Sequence, residues 1–337
     1  MPSPLVTPLV SVAVPTLTAG DVLADCLRSL QGQTLRRFEV VVVDNSGARL
    51  VADCGFARVI YNQRNVGFGA AVNQVFRETS APYLATLNDD AAADPGWLQA
   101  LVDAAEANPH AGMFAPRVML AGRETLDSAG MLLAADGSSK QRGHGQAPEA
   151  FSKMREAFFP SGSAALYRRA MLDEIGLFDE TYFLYCEDTD LGLRARWAGW
   201  NCLYVPEAVV EHRYSQTAGS ASPMKAYYVE RNRLYTAVKN FPAGMLWRVP
   251  FAACVRYFWH LISLLGGFGK TGEYRDAGHD KWLLPFLVFR AHVAMLFRLP
   301  RLARERRRIA ARRKLTPLEF QKLAKAHGIS LREVASL

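Results

Sequence analysis

Residues 9–14 form a short apolar run rich in β-branched side chains that stops at Pro15, and they predict a strand. Over 21–30 the period changes: Val22, Cys26, Leu27 and Leu30 share one side of a helix. Residues 38–43 are continuously apolar and end in the turn signal Asp44-Asn45-Ser46-Gly47. The strand pattern returns at 58–61, a helix follows over 70–77 after the glycines at 67 and 69, and 83–87 is a further strand closed by Asn88-Asp89-Asp90. A helix is expected over 95–105, with Asp94 as N-cap and Pro95 in its first position. Strands alternating with helices of about ten residues predict an α/β fold, a parallel sheet covered on both faces.

Beyond Met113 the pattern loosens. Residues 121–157, rich in Gly, Ser and polar side chains, predict loops and short strands. A strand follows over 164–167, a helix over 189–197, a buried strand over 202–205 and a long helix over 224–239. From Phe241 onward the chain is aromatic, apolar and studded with arginine, and no internal repeat is visible.

Composition narrows the classes. Half of the 337 residues are hydrophobic, enough for a real core and incompatible with a disordered chain. No uniformly apolar, charge-free stretch of ~18 residues is present, so no ordinary spanning helix is expected. The N-terminal residues lack the basic start and small-residue cleavage site of a secretory signal. The five cysteines (Cys26, Cys54, Cys186, Cys202 and Cys254) are widely spaced without a C-x-x-C, which fits a reducing compartment rather than a disulfide framework or zinc knuckle. The net charge of +8 is uneven: residues 241–337 hold 18 Lys/Arg against 6 Asp/Glu, whereas the preceding residues are net acidic. The basic C-terminal portion therefore suits a phosphate-rich partner, nucleic acid or anionic membrane.

In open α/β sheets ligands bind beyond the carboxyl ends of the strands. Pro15-Thr16, Asp44-Asn45-Ser46 and Asn88-Asp89-Asp90 all fall at such ends. Each alone reads equally well as an ordinary turn; together they line one edge. Asp89 and Asp90 would repel one another unless a cation or solvent relieved them, and hard oxygen ligands suit Mg²⁺ or Mn²⁺ with a diphosphate. A solvated turn before the next helix is the competing account. Arg64-Asn65-Val66-Gly67-Phe68-Gly69 precedes a helix that holds Asn73; it is neither G-x-G-x-x-G nor a Walker A sequence, and a tight loop with a helix cap explains it as well. Glu187, Asp188 and Asp190 crowd a helix N-terminus, where acids complement the dipole. Asp190 and Arg194 form an i,i+4 structural pair, while Glu187 and Asp188 are placed to enter a cleft, with a general base among their uses. His212 follows the 202–205 strand and Pro206, and a lone histidine is more often structural than a ligand.

The ordered set SVAVPTLTAGDVLADCLRSLQGQT, FEVVVVDNSG, NVGFGAAVNQ, YLATLNDDA, FPSGSAALYRR, FDETYFLYCEDTDLGLRARWAGW and HRYSQT resembles the inverting family 2 glycosyltransferases, in particular their bacterial rhamnosyltransferase-like branch, over residues 9–240. The resemblance implies a GT-A fold, a Rossmann-like mostly parallel sheet flanked by helices, here with a C-terminal helical extension. It implies that Pro15, Thr16 and Asp44 cradle base and ribose, that Arg64, Asn65 and Gly67 lie beside the nucleotide, and that Asn88-Asp89-Asp90 fills a D-x-D position with Asn first. Asp89 would then approach the ribose, and Asp90 and His212 would hold Mg²⁺ or Mn²⁺. Ser161, Gly162 and Ser163 would line the sugar pocket, Asp188 would be the catalytic base, and Glu187 would orient the acceptor. The implied donor is dTDP-L-rhamnose and the implied acceptor a polyprenyl-diphosphate-linked saccharide of bacterial surface polysaccharide synthesis. A UDP-sugar donor (galactofuranose, GlcNAc or glucose) and a catalytically silent sugar-nucleotide-binding module are the alternatives.

The expected organisation is a catalytic domain over 1–240, an amphipathic membrane-associating segment over 241–300 and a basic helical tail over 301–337. In the helix expected over 245–265, Arg248, Ala252, Arg256 and His260 recur at four-residue spacing as a polar stripe, with a kink at Pro250. Residues 282–299 repeat the theme with Arg290 and Arg298, and 301–314 is dense in arginine. An aromatic amphipathic helix with a basic flank suits an anionic membrane surface, here the cytoplasmic face of the inner membrane; a helical subdomain packed on the core is the other account. The helix–Gly328–helix pattern of 316–337 is read as a cap, and no nucleic acid partner is expected.

Overall fold

The computed structural model describes residues 7–53, 55–213, 222–266, 274, 278 and 282–336. Cys54, the last four residues of the HRYSQT motif and part of the 241–300 segment lie outside the described residues. The chain divides into two compact units: residues 1–130, 141–183 and 200–214, and residues 131–140, 184–199 and 215–337.

The first unit is built on a sheet. Strands β1 (Val10–Thr16), β2 (Phe38–Asp44), β3 (Arg58–Tyr61) and β4 (Tyr83–Leu87) are parallel neighbours in the order β3-β2-β1-β4. Successive side chains of a strand point to opposite faces, so each valine run serves two layers. Val10, Val12, Val14, Val40 and Val42 pack with Leu23, Cys26 and Leu30 of α1 (Asp21–Gln31) and with Trp97, Leu98 and Leu101 of α3 (Trp97–Ala107). The alternate residues Ala13, Val41 and Val43 are equally buried, and α2 (Phe68–Glu78), with Ala71, Val72 and Val75 inward, packs on β1 and β2. That double coverage is why these strands read as continuous apolar runs.

Beyond β4 the sheet is mixed. Strand β11 (Ala164–Arg168) enters antiparallel between β4 and β6 (Ala111–Leu120), and β12 (Asn201–His212) runs parallel to β6. Short strands β5 (Ala91–Ala93), β7 (Leu126–Ser128) and β10 (Arg155–Ala157) pair at its margins. Two sequence expectations change here. Helix α3 begins at Trp97 with Gly96 as its cap, and Asp94 instead uses its carbonyl to accept from the Trp97 amide at 3.0 Å. Strand β12 runs through Pro206 to His212, accommodating the proline at a register shift between Val205 and Val209.

The second unit holds β8 (Met131–Ala134), which pairs in parallel with β13 (Gly328–Ile329), and helices α5 (Glu187–Trp197), α6 (Pro223–Asn240), α7 (Ala243–Leu246), α8 (Val249–Gly266), α9 (Leu283–Arg312), α10 (Pro317–Ala326) and α11 (Leu331–Ser336). Trp197 stacks on Phe320 at 4.1 Å between ring centroids and donates from its indole N–H to the Asn240 carbonyl, tying α5 to α10 and α6. Asp190 is buried between Arg194 at 2.9 Å and Lys239 at 2.8 Å, the structural role its spacing predicts. Pro250 begins α8 instead of kinking it, where its missing N–H leaves no helical bond unmade. The segments Ala243–Gly266 and Leu283–Arg312 are long and apolar enough, by length and composition alone, to cross a bilayer. Isolated charges such as Arg256 and Arg290 break the apolar run without lowering its average enough to exclude that.

Candidate active site

Strand register assembles the site. Ala13 lies opposite Thr86, so three residues further on Thr16 is level with Asp89, and the Thr16 hydroxyl donates to Asp89 Oδ2 at 2.6 Å. Antiparallel pairing of β12 with β5 sets His212 against Ala91, immediately after Asp90. The Arg213 amide donates to the Asp90 carbonyl at 3.0 Å, and His212 Nε2 lies 3.1 Å from Asp90 Oδ1. The pair anticipated as metal ligands, 122 positions apart in the chain, is thus brought together by two ladders. Asn88 Nδ2 is 3.4 Å from the same imidazole nitrogen. The Asn88 amide donates to the Ser163 carbonyl at 2.8 Å, and the Ser161 and Ser163 hydroxyls are 3.0 Å apart, so the 161–163 turn abuts the strand end.

Sequence reasoning missed Asp127. It stands on β7 at a register irregularity, its Oδ2 2.9 Å from His212 Nδ1 and its Oδ1 3.2 Å from His144 Nδ1. Burial works against a charged His212, but its hydrogen bond to Asp127 and the close carboxylates of Asp127 and Asp90 outweigh it and push the imidazole up to about 9. Burial also opposes the Asp127 carboxylate, and hydrogen bonds to His144 and His212 hold it below the usual carboxylate range. Burial, aided by the neighbouring Asp90 charge, raises Asp89 against the hydrogen bond from Thr16. An isolated Leu-Asp-Ser in a polar stretch carries no pattern that would have singled Asp127 out.

The nucleotide-side residues separate. Burial disfavours ionised Asp44, yet its carboxylate accepts from the Ser46 amide at 2.9 Å and the Val51 amide at 3.0 Å, which lowers its pKa. Asn65 accepts from the Gly67 amide at 2.8 Å, while Arg64 is exposed and Pro15 half-buried. Gly67 has φ +87°, and a Cβ there would sit 2.2 Å from the Phe183 carbonyl oxygen. The positive φ and that close approach each call for glycine here. Gly67→Ala is expected to cost on the order of 2 kcal/mol or more, read as a lowered midpoint in thermal unfolding; an unchanged midpoint would contradict the packing.

The second unit carries the acidic pair. Phe183, Tyr185 and Cys186 all have positive φ (65°, 70° and 64°) on the approach to α5, a conformation non-glycine residues adopt only when held. Asn232 of α6 holds the turn, donating from its amide to the Leu184 and Tyr185 carbonyls at 2.8 and 2.7 Å. It too went unread in the sequence. Asp188 is half-buried and its Oδ1 accepts from the Thr189 amide at 2.6 Å, while the Thr189 hydroxyl is 2.8 Å from that of Ser139. Glu187 is buried, its Oε2 has no hydrogen-bond partner, and burial together with the Asp188 charge raises its pKa to about 8. Strained backbone leading to a destabilised acid is a frequent property of functional sites.

Residues 11–176 match the family model of Glycosyl transferase family 2. This stretch is a family 2 glycosyltransferase domain. Over 283 residues, 74% of the chain and 90% of the relative, the chain is 28% identical to an N-acetylglucosaminyl-diphospho-decaprenol L-rhamnosyltransferase of Mycobacterium tuberculosis (strain CDC 1551 / Oshkosh). It is 25% identical over 240 residues to an O-antigen biosynthesis protein of Myxococcus xanthus, covering 66% of this chain and 19% of that one. The crystal structure of GalNAc-T7 with UDP, GalNAc and Mn²⁺ superposes with a TM-score of 0.55 at 15% identity, over 69% of this chain and 48% of the other. The glycosyltransferase fold is of the GT-A type, a mixed sheet flanked by helices with C-terminal helices added.

The anticipated metal meets a mixed donor set. Among the described residues no group of three or more His, Cys, Asp or Glu side chains could hold an ion unaided. Asp90 Oδ1, however, is buried and makes no hydrogen bond, its 3.1 Å approach to His212 Nε2 being poorly aligned for one. A carboxylate oxygen and an imidazole nitrogen fit Mg²⁺ or Mn²⁺ that completes its shell with phosphate oxygens and water.

Proposed function

We propose that the chain is an inverting, divalent-metal-dependent transferase that moves L-rhamnose from dTDP-L-rhamnose to a polyprenyl-diphosphate-linked saccharide, at the cytoplasmic face of the inner membrane, in bacterial surface polysaccharide synthesis. The convergence of Thr16, Asp89, Asp90 and His212 at the strand ends of a family 2 domain carries the reading, and the rhamnosyltransferase relative supports the sugar and the lipid-linked acceptor. UDP-galactofuranose, UDP-GlcNAc and UDP-glucose are the donors to set against dTDP-L-rhamnose in a transfer and hydrolysis assay with Mn²⁺. Turnover of a UDP-sugar in place of dTDP-rhamnose would overturn the donor, and binding without turnover of any donor would leave a binding module.

The reaction needs few groups. Asp44, beside Pro15 and Thr16 at the ends of β1 and β2, receives base and ribose; Asp89, turned by Thr16, faces the ribose; Arg64 and Asn65 flank the nucleotide. Ser161, Gly162 and Ser163 line the sugar. Asp90 and His212 would hold Mg²⁺ or Mn²⁺, whose chemistry there would be neutralisation of the charge on the departing diphosphate. Asp188 accepts the proton of the acceptor hydroxyl while that oxygen bonds to the anomeric carbon, on the face opposite the breaking carbon–phosphate-oxygen bond. The nucleoside diphosphate leaves with that bond's electrons and the anomeric configuration inverts. Glu187 orients the acceptor.

Asp127 fits the same reading as a positioning residue. By accepting from His212 Nδ1–H it would leave Nε2 as the ligating nitrogen. Asp90→Ala is expected to abolish Mn²⁺-dependent nucleotide binding. Asp127→Asn is expected to weaken Mn²⁺ affinity ~10–100-fold, both read by calorimetry and by the Mn²⁺ EPR signal. Unchanged Mn²⁺ affinity in Asp127→Asn would reduce Asp127 to a packing role.

A further inference from the structure

Helix α8 is inside-out relative to a helix of a water-soluble core. Its buried face holds Ala252, Ala253, Arg256 and Ser263. Arg256 is fixed by Asp136 at 2.5 Å and by Glu230 of α6 at 2.6 Å, in a buried cluster completed by Arg233. Two acids and two guanidinium groups balance there, which is how a helix can turn arginine inward. The opposite face, beginning one residue pair before the helix with Trp247, carries Phe251, Val255, Phe258, Leu261 and Leu265, all exposed and spaced by three or four residues. The polar stripe read in the sequence is therefore the packed side, apart from the exposed Arg248, and the aromatic side is left outward.

Helix α9 adds a change of character along its axis. Leu287, Ala291 and Leu302 turn inward, and the Ala294 carbonyl and Arg306 bond to Tyr235 and Val238 of α6. Outward stand Trp282, Phe286, Phe289 and Phe297, the last 83% exposed. At 100° per residue, the same angular sector continues through Pro300 into Arg304, Arg307 and Arg308, all exposed. One face is thus aromatic for about 22 Å and arginine-rich for the next ~17 Å, at 1.5 Å per residue.

We infer that the outward faces of α8 and α9 are a docking surface for an anionic phospholipid bilayer, with the aromatic side chains among the acyl chains and Arg304, Arg307 and Arg308 at the lipid phosphates. The argument is charge complementarity joined to an apolar face: guanidinium groups pair with phosphate, and neither a second apolar protein surface nor water accounts for both halves of one helix face. Each helix offers its apolar residues on one side only, with Arg256 and its partners behind α8, so the pair lies in the interface and does not span it. The inference gives a structural means for the membrane location proposed above, and rests on that reading for its purpose alone.

The test uses the full chain and flotation with phosphatidylcholine vesicles, with and without phosphatidylglycerol, at low and high salt. Wild-type protein should float with anionic vesicles and be released by alkaline carbonate. Phe251→Glu with Phe258→Glu, or Phe289→Glu with Phe297→Glu, should lower partitioning more than 100-fold on both lipids. Arg304→Gln with Arg307→Gln and Arg308→Gln should lower it on the order of 100-fold on anionic vesicles only and remove the salt dependence. Donor hydrolysis by each variant, measured without vesicles, verifies the fold and tests the catalytic reading separately. Failure to float at low salt, variants that bind like wild type, carbonate resistance, or a dimer abolished by the Phe→Glu changes would each overturn the docking surface, the third in favour of spanning helices and the fourth in favour of a second copy.

Discussion

Asp188→Asn is expected to lower transfer ~10²–10⁴-fold while leaving Mn²⁺-dependent nucleotide affinity near that of the wild type, because general-base help acts on the proton of the acceptor and not on the donor. The amide keeps the size of the carboxylate and can still accept from the Thr189 backbone through its oxygen, as Asp188 Oδ1 does at 2.6 Å, so the turn at the start of α5 should survive. What is lost is the ability to take up a proton. The measurement is kcat for transfer beside nucleotide affinity by calorimetry. A loss of affinity equal to the loss of turnover would mean that Asp188 shapes the donor site. Retained turnover would remove it from the mechanism and move the base elsewhere.

The parallel strands and their polar ends were legible because continuous valine-rich runs and Asp/Asn turns are local signals. Asp89 and Asp90 could be singled out from adjacency alone, since two neighbouring carboxylates at a strand end need an explanation. Their partners were not legible in the same way. His212 was expected beyond a short strand, whereas β12 runs twelve residues and delivers it directly beside Asp90. The proline at 206 reads locally as a stop, and only pairing with β6 on one side and β5 on the other shows that it is absorbed in a register shift. Asp127 and Asn232 act through contacts 85 and 48 positions away, so neither leaves a trace in its own neighbourhood. The C-terminal helices teach a different lesson. Spacing located the stripe on α8 but left its direction open, because what turns Arg256 inward lies elsewhere in the chain. The acids that neutralise Arg256 lie on α6 and in the turn after β8.

Glu187→Gln is expected to stabilise the protein at neutral pH by about 3 kcal/mol, a large effect for a single isosteric change. Glu187 is buried at the first position of α5, its Oε2 lacks a hydrogen-bond partner, and burial with the adjacent Asp188 charge raises its pKa from 4.5 to about 8. The folded chain therefore holds a proton there that the unfolded chain releases. The stability linked to that proton is fully present below about pH 4.5 and falls as pH rises until about 8, above which the folded state bears the whole cost of a buried carboxylate. Glutamine has nothing to titrate, so the variant's advantage should be absent in acid, grow through neutrality and level off above about pH 8. Denaturant unfolding at several pH values reads this directly, and an advantage independent of pH would assign the effect to packing. A buried acid that weakens the fold at neutral pH, next to Asp188 and behind three residues with positive φ, places destabilising features on the same few residues. The proposed role of Glu187 in orienting an acceptor would account for that placement, since a dry carboxyl whose Oε2 lacks a partner retains hydrogen-bonding capacity for a substrate hydroxyl. The same variant should thus gain stability and lose turnover together, raising the acceptor KM more than it changes nucleotide affinity.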